Sequence, residues 1–116
     1  MDNRVTLKKN YEFRRLYNKG RSAVTPYLVV YTMKARGQNA CRVGFTVSVK
    51  LGKAVVRNRV RRRLREIYRL NSDKLRPGTE MVIVARAKCV NAKYSAIEKA
   101  FISACRQLGV LSEEET

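Results

Sequence analysis

The sequence predicts a single-domain α+β sandwich with element order α-β-β-β-α-β-α, a four-stranded sheet and a βαβ crossover. Three patterns carry that prediction. Val56, Val60, Leu64 and Ile67 recur at i, i+4, i+8 and i+11, the stripe of an amphipathic helix. Over residues 40–50, Cys41, Val43, Phe45, Val47 and Val49 alternate with Arg42, Gly44, Thr46, Ser48 and Lys50, the period of a half-buried strand. Met81-Val82-Ile83-Val84-Ala85 is a continuous apolar run, suited to a strand covered on both faces. A helix between two strands suggests a parallel βαβ unit, for which a right-handed crossover is the general expectation. The expected sandwich has its helices on one sheet face and an open basic surface. A chain of 116 residues supports one modest core, so 1–116 reads as one domain.

In chain order, residues 1–9 read as a mobile basic lead-in. Asn10 is placed to cap a helix, with Glu12 in the first turn, where the helix dipole favours an acid. Phe13, Leu16 and Tyr17 have helical spacing, and Gly20 ends the helix. Pro26 divides the β-branched stretch 21–34 into a short piece and a longer strand from about Tyr27 to Lys34. In that strand Tyr27, Val29 and Tyr31 share one face, and Leu28, Val30 and Thr32 the other. Ala35-Arg36-Gly37-Gln38-Asn39 reads as a hairpin turn into the alternating strand. Pro77-Gly78 marks a turn before the apolar strand. Ser95 and Glu98 have capping-box spacing. The helix they open puts Ile97, Phe101, Ala104, Cys105 and Leu108 on one face, and Gly109 stops it. Residues 112–116, S-E-E-E-T, read as a mobile acidic tail.

Twenty-six basic residues against nine acidic ones give a formal charge of +17, which favours a polyanionic partner. No apolar run approaches the length of a membrane span, and no apolar h-region follows Met1, so the expected location is the cytoplasm, without a membrane partner. The charge is concentrated between Lys50 and Arg69, where Glu66 is the only acid. Around the apolar stripe of that helix, Arg57, Asn58, Arg61, Arg62, Arg65 and Arg69 are assigned to the opposite face, while Arg63 must snorkel past the stripe. A planar guanidinium grips phosphate through two parallel hydrogen bonds, and repulsion among so many arginines calls for an anionic partner. On the sheet, a face bearing Tyr27, Val29 and Tyr31 beside basic and polar residues suits stacking of unpaired bases. Periodicity leaves equally open that the first helix covers it.

The run Lys50-Leu51-Gly52-Lys53-Ala54-Val55-Val56-Arg57-Asn58-Arg59-Val60-Arg61-Arg62 resembles the signature of the bacterial ribonuclease P protein family. The likeness extends from about Leu7 to Leu108. It implies the protein subunit of a ribonucleoprotein that removes the 5′ leader of precursor tRNA. It also implies that Lys53, Arg57, Asn58, Arg59, Arg61, Arg62 and Arg65 bind the catalytic RNA subunit. A cleft between the first helix and the sheet would receive the single-stranded leader, with Phe13, Tyr17, Val29, Tyr31, Thr46 and Ser48 at the matching positions. Tyr17 stands where many relatives carry phenylalanine. The resemblance further implies a left-handed crossover, and Mg²⁺ held mainly by the RNA, which carries the chemistry. No obligate protein partner is implied.

Two other functions compete with this one. A ribosomal protein or RNA chaperone would bind structured RNA without taking part in cleavage. A self-sufficient nuclease would need clustered carboxylates to hold hard cations. Asp2, Glu12, Glu66, Asp73, Glu80 and Glu98 are scattered in sequence, and there is no histidine to serve as general base. Cys41, Cys89 and Cys105 lack metal-ligand spacing and read as reduced, partly buried thiols. No catalytic residue and no side-chain metal site is expected in this chain.

Overall fold

The computed structural model describes residues 5–7, 9–34 and 40–112, with Val5 and Thr6 described by backbone alone. The elements are β1 (Val5–Thr6), α1 (Asn10–Lys19), β2 (Arg21–Val24), β3 (Leu28–Lys34), β4 (Arg42–Thr46), α2 (Ala54–Asn71), β5 (Thr79–Ala85) and α3 (Tyr94–Leu108). The expected order is present, with one short strand added at its start. Val5 and Thr6 pair in parallel with Arg42 and Val43, and the Leu7 N–H donates to Val43 O at 2.8 Å. Leu7 is buried against Leu16 and Val82, and that apolar contact holds Val5–Leu7 to the fold, against the mobile lead-in expected there. The other lead-in residues, 1–4 and 8, and tail residues 113–116 lie outside the described set. The tail's first residue, Ser112, is described, and its N–H donates to Lys74 O at 2.7 Å.

The sheet order is β1-β4-β5-β3-β2. The expected hairpin between β3 and β4 does not form, because β5 lies between them, antiparallel to β3 and parallel to β4. The reason is burial. The apolar run of β5 has to be covered on both faces, and only a central strand is also paired along both edges. Turn residues 35–39 lie outside the described set. The β4–α2–β5 crossover is present, as the parallel pairing of its strands requires.

One face of the sheet carries the main core. Leu28, Val30, Val43, Met81, Ile83 and Ala85 meet Val60, Leu64, Ile67 and Tyr68 of α2, and Ile97, Phe101, Ala104, Cys105 and Leu108 of α3. Each fully buried Leu, Ile or Phe contributes about 1.5–3 kcal/mol by leaving water. Helix α1 packs on the opposite face, through Leu16 with Leu7 and Val82. The helices therefore lie on both faces rather than on one. No helix among the described residues is long and apolar enough to cross a membrane.

Several element ends differ from their sequence signals. Lys9, not Asn10, caps α1, and its N–H donates to Glu12 Oε1 at 3.2 Å. The Ser95–Glu98 capping box is absent: Lys93 caps α3, and Glu98 Oε2 accepts from Asn71 Nδ2 at 3.0 Å. A tertiary hydrogen bond has taken the carboxylate that the local motif would use. Strand β4 stops at Thr46 instead of running to Lys50, because the backbone turns at Val49–Leu51, where Ser48 Oγ accepts from Lys50 N–H at 3.1 Å. Tyr27 precedes β3 and packs against the main core, apart from Tyr31. The turn there is held by Thr25 Oγ1, which accepts from both Tyr27 and Leu28 N–H groups.

Candidate nucleic-acid interface

Register partners share a sheet face, so the strand pairings divide the face beneath α1 into three rows. The first is Arg42–Glu80–Met33, the second Gly44–Val82–Tyr31, and the third Thr46–Val84–Val29. On β2, Ser22 extends the second row and Val24 the third, and both are exposed. Helix α1 covers the first row, partly covers the second, and leaves the β2 end of the third open.

Each row meets α1 differently. At the first, Arg42 bridges two buried carboxylates, with one guanidinium nitrogen on Glu12 and Nη1 on Glu80 Oε2 at 3.2 Å. Arg15 Nη2 reaches the other Glu80 oxygen at 2.6 Å. The hydrogen bond to Glu12 holds the Arg42 guanidinium above the ordinary arginine range, against the opposing effect of burial. At the second row, Phe13 lies directly on Gly44: a Cβ there would stand 2.5 Å from Phe13 Cζ. At the third, Tyr17 OH and Thr46 Oγ1 are hydrogen-bonded at 2.8 Å. The Tyr17 ring meets Tyr31 edge-on at a centroid distance of 4.9 Å, and Phe13 lies 6.4 Å from Tyr17.

Phe13, Tyr17, Tyr31 and Thr46, four of the residues assigned to a leader cleft, thus converge, and Val29 stands in the Thr46 row. Ser48 does not join them: it lies past the end of β4 and caps the turn toward α2. Tyr17 is 38% exposed, so aromatic surface at the cleft mouth is open to a ligand. Of the alternatives left by periodicity, the structure realises a partial cover, with α1 forming a wall and the outer row free. The residues missed by sequence reasoning are Gly44, Arg42, Glu80 and Arg15. A signal for two of them was available, since Arg42 and Glu80 are isolated charges in strands whose neighbours are largely apolar.

The second surface is α2. Asn58, Arg59, Arg62, Arg65 and Arg69 are exposed on it, as is Lys53 at its cap. Arg57 and Arg61 are half-buried on the flank rather than opposite the core. Three residues back from Val60 at 100° per residue brings Arg57 round to the stripe's own side. Its Nε donates to Gly52 O at 3.1 Å, and Arg61 Nη1 donates to Asn58 Oδ1 at 3.1 Å. Arg65 lies 6.0 Å from the centre of the Phe45 ring. Arg69 pairs with Glu66 at 2.7 Å. Arg63 snorkels as expected and donates to Ala92 O at 3.3 Å.

Among the described residues, no group of three His, Cys, Asp or Glu side chains could hold a metal ion. Glu12 and Glu80 do converge, but guanidinium groups already meet them, so this donor set does not fit a resident divalent cation. Cys89 and Cys105 are buried, and burial pushes both thiols up, Cys105 to about 12.

Comparison with known proteins gives one consistent family. The profile described as Ribonuclease P matches residues 1–109. The ribonuclease P protein component of Alkaliphilus oremlandii is 42% identical over 106 residues, covering 91% of this chain and 92% of that protein. That of Clostridioides difficile is 46% identical over 94 residues, covering 80% and 82%. The solved RNase P protein of Staphylococcus aureus superposes with a TM-score of 0.83 at 29% identity, covering 92% of this chain and 97% of that one. For that of Thermotoga maritima the TM-score is 0.76 at 27% identity, covering 84% and 92%.

Proposed function

The chain belongs to the ribonuclease P protein family, the protein component of a ribonucleoprotein endoribonuclease acting in tRNA 5′ processing, and on that premise we propose a division of labour between its two surfaces. The cleft between α1 and the outer sheet row takes the single-stranded 5′ leader of precursor tRNA. The arginine face of α2 grips the catalytic RNA subunit. The observation that carries this reading is the contrast between them. The cleft offers aromatic surface, Phe13, Tyr17 and Tyr31, with the hydroxyls of Tyr17 and Thr46. The helix offers exposed guanidinium groups without stacking surface of comparable extent. Stacking suits unpaired bases, and dense positive charge suits a folded phosphate backbone.

In this reading the protein positions its substrate and offsets phosphate repulsion, while the RNA holds Mg²⁺ and carries out the cleavage. Reconstitution tests the whole. At low Mg²⁺, leader removal should require this protein and a catalytic RNA together. Cleavage by RNA-free protein, lost on mutating one Asp or Glu, would overturn the reading.

A two-by-two comparison tests the division. Tyr31→Ala is expected to weaken holoenzyme binding of leader-bearing precursor tRNA by about 1–3 kcal/mol, roughly five- to a hundredfold. Binding of leaderless mature tRNA and assembly with the catalytic RNA should change little. Arg62→Ala, at an exposed position, should impair assembly first. Equal losses on precursor and mature tRNA for Tyr31→Ala would mean that the aromatics serve only the fold.

A further inference from the structure

The contact between α1 and the sheet has an unusual balance of forces. Its fully buried apolar part is small, consisting of Leu16, Leu7 and Val82. Beside it lie two carboxylates that are almost inaccessible, Glu80 at 2% and Glu12 at 8% exposure. Burying such groups is expensive, and a well-packed apolar contact of the same volume is often at least as stable. Their geometry offers something that apolar contact lacks. Apolar attraction is non-directional, so a small patch lets a helix slide or roll with little loss. Charged hydrogen bonds with fixed donor directions do not.

The attachments come from two strands and two helix positions. Arg42 projects from β4 and Glu80 from β5, in the same sheet row. Glu12 and Arg15 project from α1 and are three residues apart, hence on one helix face. Arg42 holds Glu12, Arg42 and Arg15 hold Glu80, and Glu12 also accepts from the Lys9 N–H at the helix start. Two points one turn apart on α1 are thereby fixed to two adjacent strands, which restrains both translation and roll. One and two rows further along the same face stand the Phe13–Gly44 contact and the Tyr17–Thr46 bond.

We propose that the Glu12–Arg42–Glu80–Arg15 quartet is the device that sets α1 over the sheet and with it the width of the aromatic cleft. Arg42, Glu80 and Arg15 are then positioning residues for leader binding, acting through Phe13 and Tyr17. This inference rests on the leader reading above.

The test uses reconstituted holoenzyme and measures binding of precursor tRNA and leaderless mature tRNA for Arg42→Gln, Arg42→Lys, Arg15→Gln, Tyr17→Ala and the Arg15→Gln/Tyr17→Ala double variant. Arg15→Gln guards against misfolding, because it leaves Glu80 paired with Arg42 and changes a half-exposed side chain. Arg42→Gln and Arg15→Gln should each weaken precursor binding by roughly fivefold without altering mature tRNA binding, and the double variant should lose less than the product of its single losses. Lysine keeps the charge but lacks the planar fork that spans two carboxylates, so Arg42→Lys should not restore affinity. The salt dependence of precursor binding should not change for Arg15→Gln, since a direct phosphate contact would flatten it. A wild-type-like Arg42→Lys, a strictly multiplicative double variant or a flattened salt slope would each overturn the positioning role. If Tyr17→Ala weakens precursor binding and the quartet variants do not, the quartet proposal alone falls. If Tyr17→Ala has no effect, the leader reading falls and takes the proposal with it.

Discussion

At the scale of single residues, Gly44 and Cys105 show how one atom's surroundings set a property. A methyl group on Gly44 would collide with Phe13 Cζ at 2.5 Å and crowd Leu7 Cβ at 3.3 Å. Gly44→Ala is therefore expected to cost about 1–3 kcal/mol in urea unfolding and to weaken leader-bearing substrate. Gly109 makes the contrast. Its φ of 72° lies in the left-handed region, but a Cβ there meets nothing within 4 Å. Gly109→Ala should cost only the local strain, about 1 kcal/mol, and leave RNA binding unchanged. Cys105 bears on alkaline stability. Burial holds its thiol neutral up to about pH 12, against 9.0 ordinarily, so the unfolded chain loses this proton first. Its contribution is fully present below pH 9 and is lost as pH rises from about 9 to 12. Urea midpoints measured across that window should fall, less steeply for Cys105→Ala; parallel slopes would refute this origin.

At the scale of elements, α2 is a helix whose two sides obey different rules. Val60, Leu64 and Ile67 are each about 1% exposed, so Leu64→Ala should remove about 2–5 kcal/mol of stability through a cavity. On the outer side, Arg62→Ala should leave stability nearly unchanged. It should lower the steepness of log K against log salt for the catalytic RNA by very roughly 0.7–0.9, one phosphate contact. Arg63 belongs to the fold although it follows the exposed Arg62, because its guanidinium is spent on Ala92 O. Arg63→Ala should cost about 1 kcal/mol of stability and leave the salt slope intact. Measuring slope and stability together separates the two kinds of arginine, and identical behaviour of Arg62→Ala and Arg63→Ala would contradict the assignment.

At the scale of the whole molecule, a charge of +17 draws the protein to RNA, but it is the layering of the sheet that separates the two surfaces. The apolar repeat of α2, the buried stripe of α3, the two-sided burial of β5 and the alternation of Arg42–Thr46 were all legible in the sequence, because each follows from the period of its own element. The family signature from Lys50 to Arg62 was legible for the same reason, as a local run of residue types. Strand order was not: pairing β5 between β3 and β4 depends on which edges can be covered, and that is settled only among distant segments. Nor did the sequence put α1 across the sheet from α2 and α3, since an amphipathic stripe specifies burial without naming a partner. Glu98 left its capping box for Asn71. There a tertiary neighbour outbid a local preference worth no more than about 1–2 kcal/mol. The sequence by itself determined the elements, their buried faces and the family. Only the tertiary structure decided that Arg42 and Glu80, 38 residues apart, would meet beneath α1, because a buried charge takes its partner from whatever the fold brings within reach.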